Sequence, residues 1–338
     1  MRALRLLCGL VALGLLALGV LAAALPASPS SLGYLAALLL LLAGPALRWR
    51  SRRISLAGAG LLALVVAIRL ASAPSVPLLR LPEGTPSLAG RLLEERDLSL
   101  FGARWAAPLG LFPEPEMRGV LPAMREAYAQ LGDEGSTGSP VLSTLLGRQA
   151  PGGFDLLVFE PRPRLSDTAV IFLHGYTGNF ALTCWLVAHA ANQAGELAAC
   201  PSAGFAGRWA STEGAQILDA TVGYLRRERG AKRFVLGGLS NGGIGASLLA
   251  FEHAGELEGL LLVSGAVPEA SPPPVPTLLL HGANDSMMSV EVSRQFASRA
   301  QGRARLVEVP EGHFALLVRR RELGEEITRW LRGPGAVP

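Results

Sequence analysis

Apolar and polar positions alternate on two different scales along this chain. From Leu6 to Leu25 there are twenty residues without a charge, enough for a helix rising about 1.5 Å per residue to cross about 30 Å of hydrocarbon. A second apolar stretch runs from Leu32 to Leu47 and a third from Ile54 to Leu70. From Phe154 onward the pattern changes to short β-branched or Leu-rich runs separated by helical periodicity, which predicts a mostly parallel sheet flanked by helices. Strands are expected over Phe154–Glu160, Ala169–Leu173, Glu196–Ala199, Arg233–Gly237, Gly259–Val263, Thr277–Leu280 and Arg305–Val309. Helices are expected near 180–194, 212–229, 241–253, 288–300 and 315–331. Three segments follow: a membrane region over 1–72, a linker and lead-in over 73–150, and a catalytic domain over 151–333. The lead-in opens with Pro74, Pro77, Pro82 and Pro86 and holds one helical pattern, Glu116–Leu131. Its residues suggest no function.

Charge sharpens the membrane reading. No Asp or Glu occurs between Met1 and Ala71, whereas Arg2, Arg5, Arg48, Arg50, Arg52, Arg53 and Arg69 all fall there. The net charge of +4 and the basic isoelectric point therefore arise at membrane boundaries, and the remainder of the chain is mildly acidic, which excludes a nucleic-acid partner. Basic loops stay on the cytoplasmic side. The cluster Arg48–Arg53 is then inside, the turn Pro26–Ser31 outside, and three spans leave everything after Ser72 outside the cytoplasm. A signal peptide cleaved near Ala22–Ala24 followed by two spans gives the same compartment. The expected location is the cytoplasmic membrane of a bacterium, with the catalytic part extracytoplasmic. The competing picture, three very apolar core helices of a soluble domain, requires three nearly consecutive uncharged stretches to be buried together.

Candidate chemistry gathers at the carboxyl ends of the expected strands, where open α/β sheets carry their sites. Gly238-Leu239-Ser240-Asn241-Gly242 follows one strand and opens a helix. A serine on such a sharp turn holds its hydroxyl clear of the sheet, although the bare pattern also fits a glycine-rich helix entrance with Ser240 as a cap. His313, in Glu311-Gly312-His313-Phe314, follows the last strand and can serve as a general base. Asp285, just past Thr277–Leu280, can accept the imidazole N–H and fix its tautomer. Taken alone it also reads as a turn residue, and Glu269 is the alternative acid. Serine, acid and histidine occur in that chain order. His174-Gly175-Tyr176-Thr177-Gly178-Asn179 follows Ala169–Leu173. An oxyanion formed at Ser240 needs two aimed N–H donors, and the amides of Asn241 and Tyr176 are the candidates. His174 and His281 each precede a glycine at a strand end and read as structural, while His189 and His253 lie on helices.

Residues 154–332 resemble the α/β-hydrolase fold, and the loop His174–Asn179 is similar to that of bacterial carboxylesterases and their lipase-like relatives. The resemblance implies Ser240 as nucleophile, Asp285 as acid, His313 as base and an acyl-enzyme intermediate. It implies no cofactor and no metal, and a small-molecule or lipid ester as substrate. Many members insert a helical lid where this chain has only Ala266–Val275, a short proline-rich segment. An open site follows unless residues 91–150 fold over it. Cys184 and Cys200 fall near one edge of the sheet, as a disulfide or as two free thiols. Three functions fit the same residues: ester hydrolysis by a membrane-anchored enzyme, acyl transfer or peptide cleavage by the same triad, and non-catalytic binding by a tethered hydrolase fold.

Overall fold

The computed structural model describes residues 7, 9–11, 13, 14, 27–46, 51–72, 78–134 and 138–333. It divides into two compact units, one formed by Met1–Ala73 with Arg91–Trp105 and the other by Pro74–Gly90 with Ala106–Pro338. Residues 73–150, expected as one linker and lead-in, are thus shared between the two.

The first unit is built on an antiparallel helix pair, α1 (Pro29–Ala46) and α2 (Ser51–Ala71). The two helices approach closely where their residues are small. A Cβ placed on Gly33 would lie 2.7 Å from Val65 Cγ2, and one on Gly58 would lie 2.9 Å from the Ala37 carbonyl oxygen. Such small-residue contacts are characteristic of helices that pack by close van der Waals approach. Within α2, Arg52–Ala71 is long and apolar enough to cross a membrane. In α1 the apolar part, Pro29–Ala43, is shorter, and most of the expected first span Leu6–Leu25, with Arg48 and Arg50 of the basic cluster, lies outside the described residues. Of three expected spans, one is therefore a helix of spanning length among the described residues. The third element, α3 (Glu95–Ala106), joins the hairpin through polar groups. Arg69 donates to the Glu94 carboxylate and to the Arg91 carbonyl (2.8 Å), and the Ser28 N–H donates to Asp97 (2.7 Å). Arg91 in turn donates to the Leu70 carbonyl (3.1 Å).

The second unit is a nine-stranded sheet in the order β2-β1-β3-β5-β4-β6-β7-β8-β9. Its strands are β1 (Leu78–Leu81), β2 (Thr85–Pro86), β3 (Phe154–Phe159), β4 (Thr168–Leu173), β5 (Leu197–Pro201), β6 (Arg233–Leu239), β7 (Leu257–Val263), β8 (Thr277–Gly282) and β9 (Ala304–Val309). The run β5-β4-β6-β7-β8-β9 is parallel throughout, and β3 pairs antiparallel with both β5 and β1. This is the expected arrangement of a mostly parallel sheet flanked by helices. Every residue of β3, β4, β5 and β8 is buried, as continuous apolar runs in a sheet covered on both faces should be. The helices after the small lead-in helices α4 (Glu114–Met117), α5 (Val120–Glu134) and α6 (Val141–Leu145) do the covering. Phe154, Ile171, Leu236 and Leu262 on one face form a core with Leu218, Val222 and Leu225 of α8 (Thr212–Arg229). On the other face α7 (Ala181–Gln193) is bonded to the sheet by the disulfide Cys184–Cys200, with Cα atoms 5.9 Å apart.

Expected and observed strands agree to within two residues at each end, except that β1 and β2, in the proline-rich opening of the lead-in, were not expected as strands. Four residues and two residues, inside a proline-rich run, carry too little periodicity to declare themselves. The last expected helix, 315–331, is divided into α11 (Ala315–Val318) and α12 (Arg320–Leu331), while α9 (Asn241–Leu249) and α10 (Val290–Arg299) fall inside their expected ranges. The single helix expected over Glu116–Leu131 is divided into α4 and α5.

Candidate active site

Ser240 lies between the end of β6 and the start of α9 with φ 54° and ψ −119°. A side chain at positive φ outside the usual left-handed well costs about 1–3 kcal/mol and persists only where the surroundings impose it. Here backbone packing imposes it. A Cβ on Gly238 would stand 2.2 Å from the Gly242 backbone, and one on Gly242 would stand 2.0 Å from the Leu173 carbonyl oxygen at the end of β4. The Ser240 N–H donates to the Val263 carbonyl (2.9 Å), and the Ser240 carbonyl accepts from the Ile244 N–H (2.9 Å), so the turn is fixed on both sides. Ser240 is half-buried and its hydroxyl makes no hydrogen bond among the described residues.

Two strand ends along, Asp285 and His313 meet. The His313 Nδ1–H donates to Asp285 Oδ2 at 2.8 Å, and this arrangement leaves the Nε2 lone pair of His313 unused. The Asp285 side chain is fully enclosed. Its other oxygen, Oδ1, accepts the N–H groups of Met287 and Met288, each at 2.9 Å. Burial pushes this carboxyl upward, but the hydrogen bonds from His281 and His313, the His313 charge and the Met288 N–H outweigh it and hold it below the ordinary carboxylate range. The acid is therefore ionised at neutral pH.

His281 is a second imidazole on the same acid. Its Nε2 lies 2.9 Å from the Met288 carbonyl oxygen and 3.4 Å from Asp285 Oδ2. Both neighbours only accept, so Nε2 carries a proton and Nδ1 accepts from the Ser293 hydroxyl at 2.7 Å. His281, expected to be structural, also lies against the acid. Glu269 is exposed and makes no hydrogen bond or ion pair with His313 among the described residues.

The loop after β4 borders the serine. A Cβ on Gly175 would lie 3.2 Å from Ser240 Cβ. Thr177 and Gly178 take positive φ, 75° and 98°, turning the backbone sharply. The amides of Tyr176 and Asn241 make no hydrogen bond among the described residues, so both are free to donate. The Asn241 side chain donates to the Ala206 carbonyl (2.9 Å), and the exposed rings of Tyr176 and Phe205 meet edge to face at 5.2 Å. His174 is structural: its Nδ1 lies 2.7 Å from the Gly175 carbonyl oxygen, and its Nε2 accepts the Ala203 N–H at 2.9 Å. Burial pushes its pKa down to about 4. His189 pairs with Glu134 at 2.8 Å, away from these groups. Among the described residues no three His, Cys, Asp or Glu side chains are grouped to hold a metal.

The lead-in contributes where no function was foreseen. The ring of Phe112 stacks on that of His313 with centroids 6.5 Å apart and lies 4.9 Å from Phe314. Glu116, on α4, accepts the backbone N–H of Ser286 (3.1 Å) and of His313 (3.0 Å). Part of residues 91–150 thus lies against the site, the one condition under which an open site was not expected. No local motif could reveal these contacts, because they join residues 170 and 197 positions apart.

No protein-family model matches the sequence, and no curated protein does either. Solved structures do. Est1E from Butyrivibrio proteoclasticus is 15% identical with a TM-score of 0.45, covering 53% of this chain and 93% of its own. An esterase of Pyrococcus furiosus is 18% identical at a TM-score of 0.45, covering 53% and 87%. A member of the α/β serine hydrolases without a lid, from Xanthomonas campestris, is 20% identical at 0.44, covering 55% and 92%.

Proposed function

We propose that this protein is a membrane-anchored serine hydrolase that cleaves carboxylic esters through an acyl-enzyme on Ser240. The observation that carries the proposal is the joint geometry at three strand ends: a serine forced to positive φ at the mouth of a helix, and a buried, ionised Asp285 holding His313 by Nδ1. In this reading His313 Nε2 takes the proton of the Ser240 hydroxyl as Oγ attacks the ester carbonyl. The oxyanion is received by the amides of Tyr176 and Asn241, each worth about 3–4 kcal/mol at the transition state. The imidazolium, steadied by Asp285, returns its proton to the leaving alcohol. Water, activated by the same nitrogen, then releases the acid and restores Ser240. The hydrogen bond between Ser240 and His313 forms when substrate is bound, as such bonds often tighten only in the complex. No cofactor takes part.

Anchoring is supported by α2. Leu56, Leu64 and Ile68 are exposed along it, whereas a core helix of a soluble protein would bury them. The arginines at its start put that end in the cytoplasm and the end at Ala71 outside. The disulfide Cys184–Cys200 agrees with an oxidising compartment for the catalytic unit.

Labelling with a fluorophosphonate probe tests the reading. The detergent-solubilised wild type should be labelled and Ser240→Ala should not. A folded wild type that takes no label would sink the hydrolase, and binding by a tethered, non-catalytic fold would replace it.

A further inference from the structure

From the lead-in contacts we infer that Glu116 is a positioning residue that holds the acid and base loops of the site in register. This rests on the reading of Asp285 and His313 given above. The loops after β8 and β9 are already joined by two backbone bonds, Ala283 N–H to the Val309 carbonyl (2.8 Å) and Asn284 N–H to the Glu311 carbonyl (2.9 Å). This ladder stops just short of the residues that matter. Asp285 and His313 lie beyond its last rung, and there the carboxylate of Glu116 takes over. One oxygen accepts the N–H of Ser286 and the other the N–H of His313 itself. A single side chain thus caps both loops, one carboxylate oxygen to each.

The fit leaves little slack. A Cβ on Gly312 would come within 2.2 Å of Glu116 Oε2, so a larger residue at 312 would displace the carboxylate from this position. The neighbouring residue on the same turn, Met117, is buried. A carboxylate suits the task because both its oxygens only accept. An amide in its place would direct an NH₂ group at one of the two N–H donors. Loss of either bond frees a loop carrying Asp285 or His313, and a misplacement of about 1 Å at such groups can cost about a hundredfold in rate.

The test compares the full-length wild type with Glu116→Gln, Glu116→Asp and Glu114→Gln. Glu114 lies on the same short helix, is largely exposed, and among the described residues pairs only with Arg118. Two readouts are taken: kcat and KM on p-nitrophenyl butyrate, and hydrogen–deuterium exchange of peptides covering 284–288 and 311–315. Glu116→Gln should lower kcat about tenfold or more with KM within about twofold, and should speed exchange in both peptides. Glu116→Asp, which keeps two acceptor oxygens, should recover part of the rate, and Glu114→Gln should match the wild type. Unchanged exchange in Glu116→Gln would overturn the clamp whatever the rate does. Faster exchange with an unchanged kcat would overturn its role in positioning. A wild type without esterase activity would remove the hydrolase reading and the positioning role with it, while exchange would still report the contact separately.

Discussion

Two buried titratable side chains pull the stability of the fold in opposite directions as pH changes. Burial lowers His174 to about 4. The unfolded chain therefore holds the extra proton between there and the ordinary histidine value, and stability rises with pH across that window. Burial, with the charge of Glu258 second, raises Glu196 to about 7, and one of its oxygens has no hydrogen-bond partner among the described residues. The folded state now holds the extra proton, so stability falls as pH rises from the ordinary carboxylate value through 7. Each contributes a slope of about 1.4 kcal/mol per pH unit where it is fully expressed. Between about pH 5 and 6 the two oppose and nearly cancel. Glu196→Gln should remove the falling component, so that stability by urea unfolding climbs by about 1.4 kcal/mol per unit over that range. An unchanged slope would contradict the assignment. At this same scale the positions of Ser240, Asp285 and His313 were legible because each directly follows a strand in the sequence. Glu116 was not, since its role depends on two backbone N–H groups far along the chain.

Among the elements, the turn from β6 into α9 is the most tightly determined. Sequence showed a strand, a Gly-x-Ser-x-Gly whose glycines permit a tight backbone approach, and a helix, but not which backbone comes close. The contact is between main chains, and no side-chain movement can relieve it. Gly242→Ala should accordingly destabilise the protein by about 3 kcal/mol, the upper part of the usual overpacking range. The midpoint of urea unfolding measures this, and a shift near zero would mean that β4 and α9 do not meet as described. Long parallel strands were readable from periodicity, with errors confined to their ends. The edge strands β1 and β2 escaped because pairing with β3, rather than any pattern of their own, makes them strands. The divided helices α4 and α5 escaped for a different reason. Helical periodicity persists across the break near Arg118, and only packing shows where the chain turns.

At the level of the whole molecule, the proposed anchor and orientation lead to one cellular prediction. In spheroplasts, protease added from outside should digest the catalytic part while leaving a small membrane-bound remnant that includes α2. Full protection in intact spheroplasts, with digestion only after lysis, would place the catalytic part in the cytoplasm instead. The chain's route between its two units has a different sort of consequence. It passes from the helix pair into β1 and β2, returns for residues 91–105, and leaves again at Ala106. Arg69 and Arg91 bind that returning segment to the hairpin. No single recombination breakpoint in the gene could then separate anchor from catalyst, because any cut removes part of one along with the other. The two would have to be inherited together, and a shuffled descendant carrying this sheet on a foreign anchor would also have to replace residues 91–105.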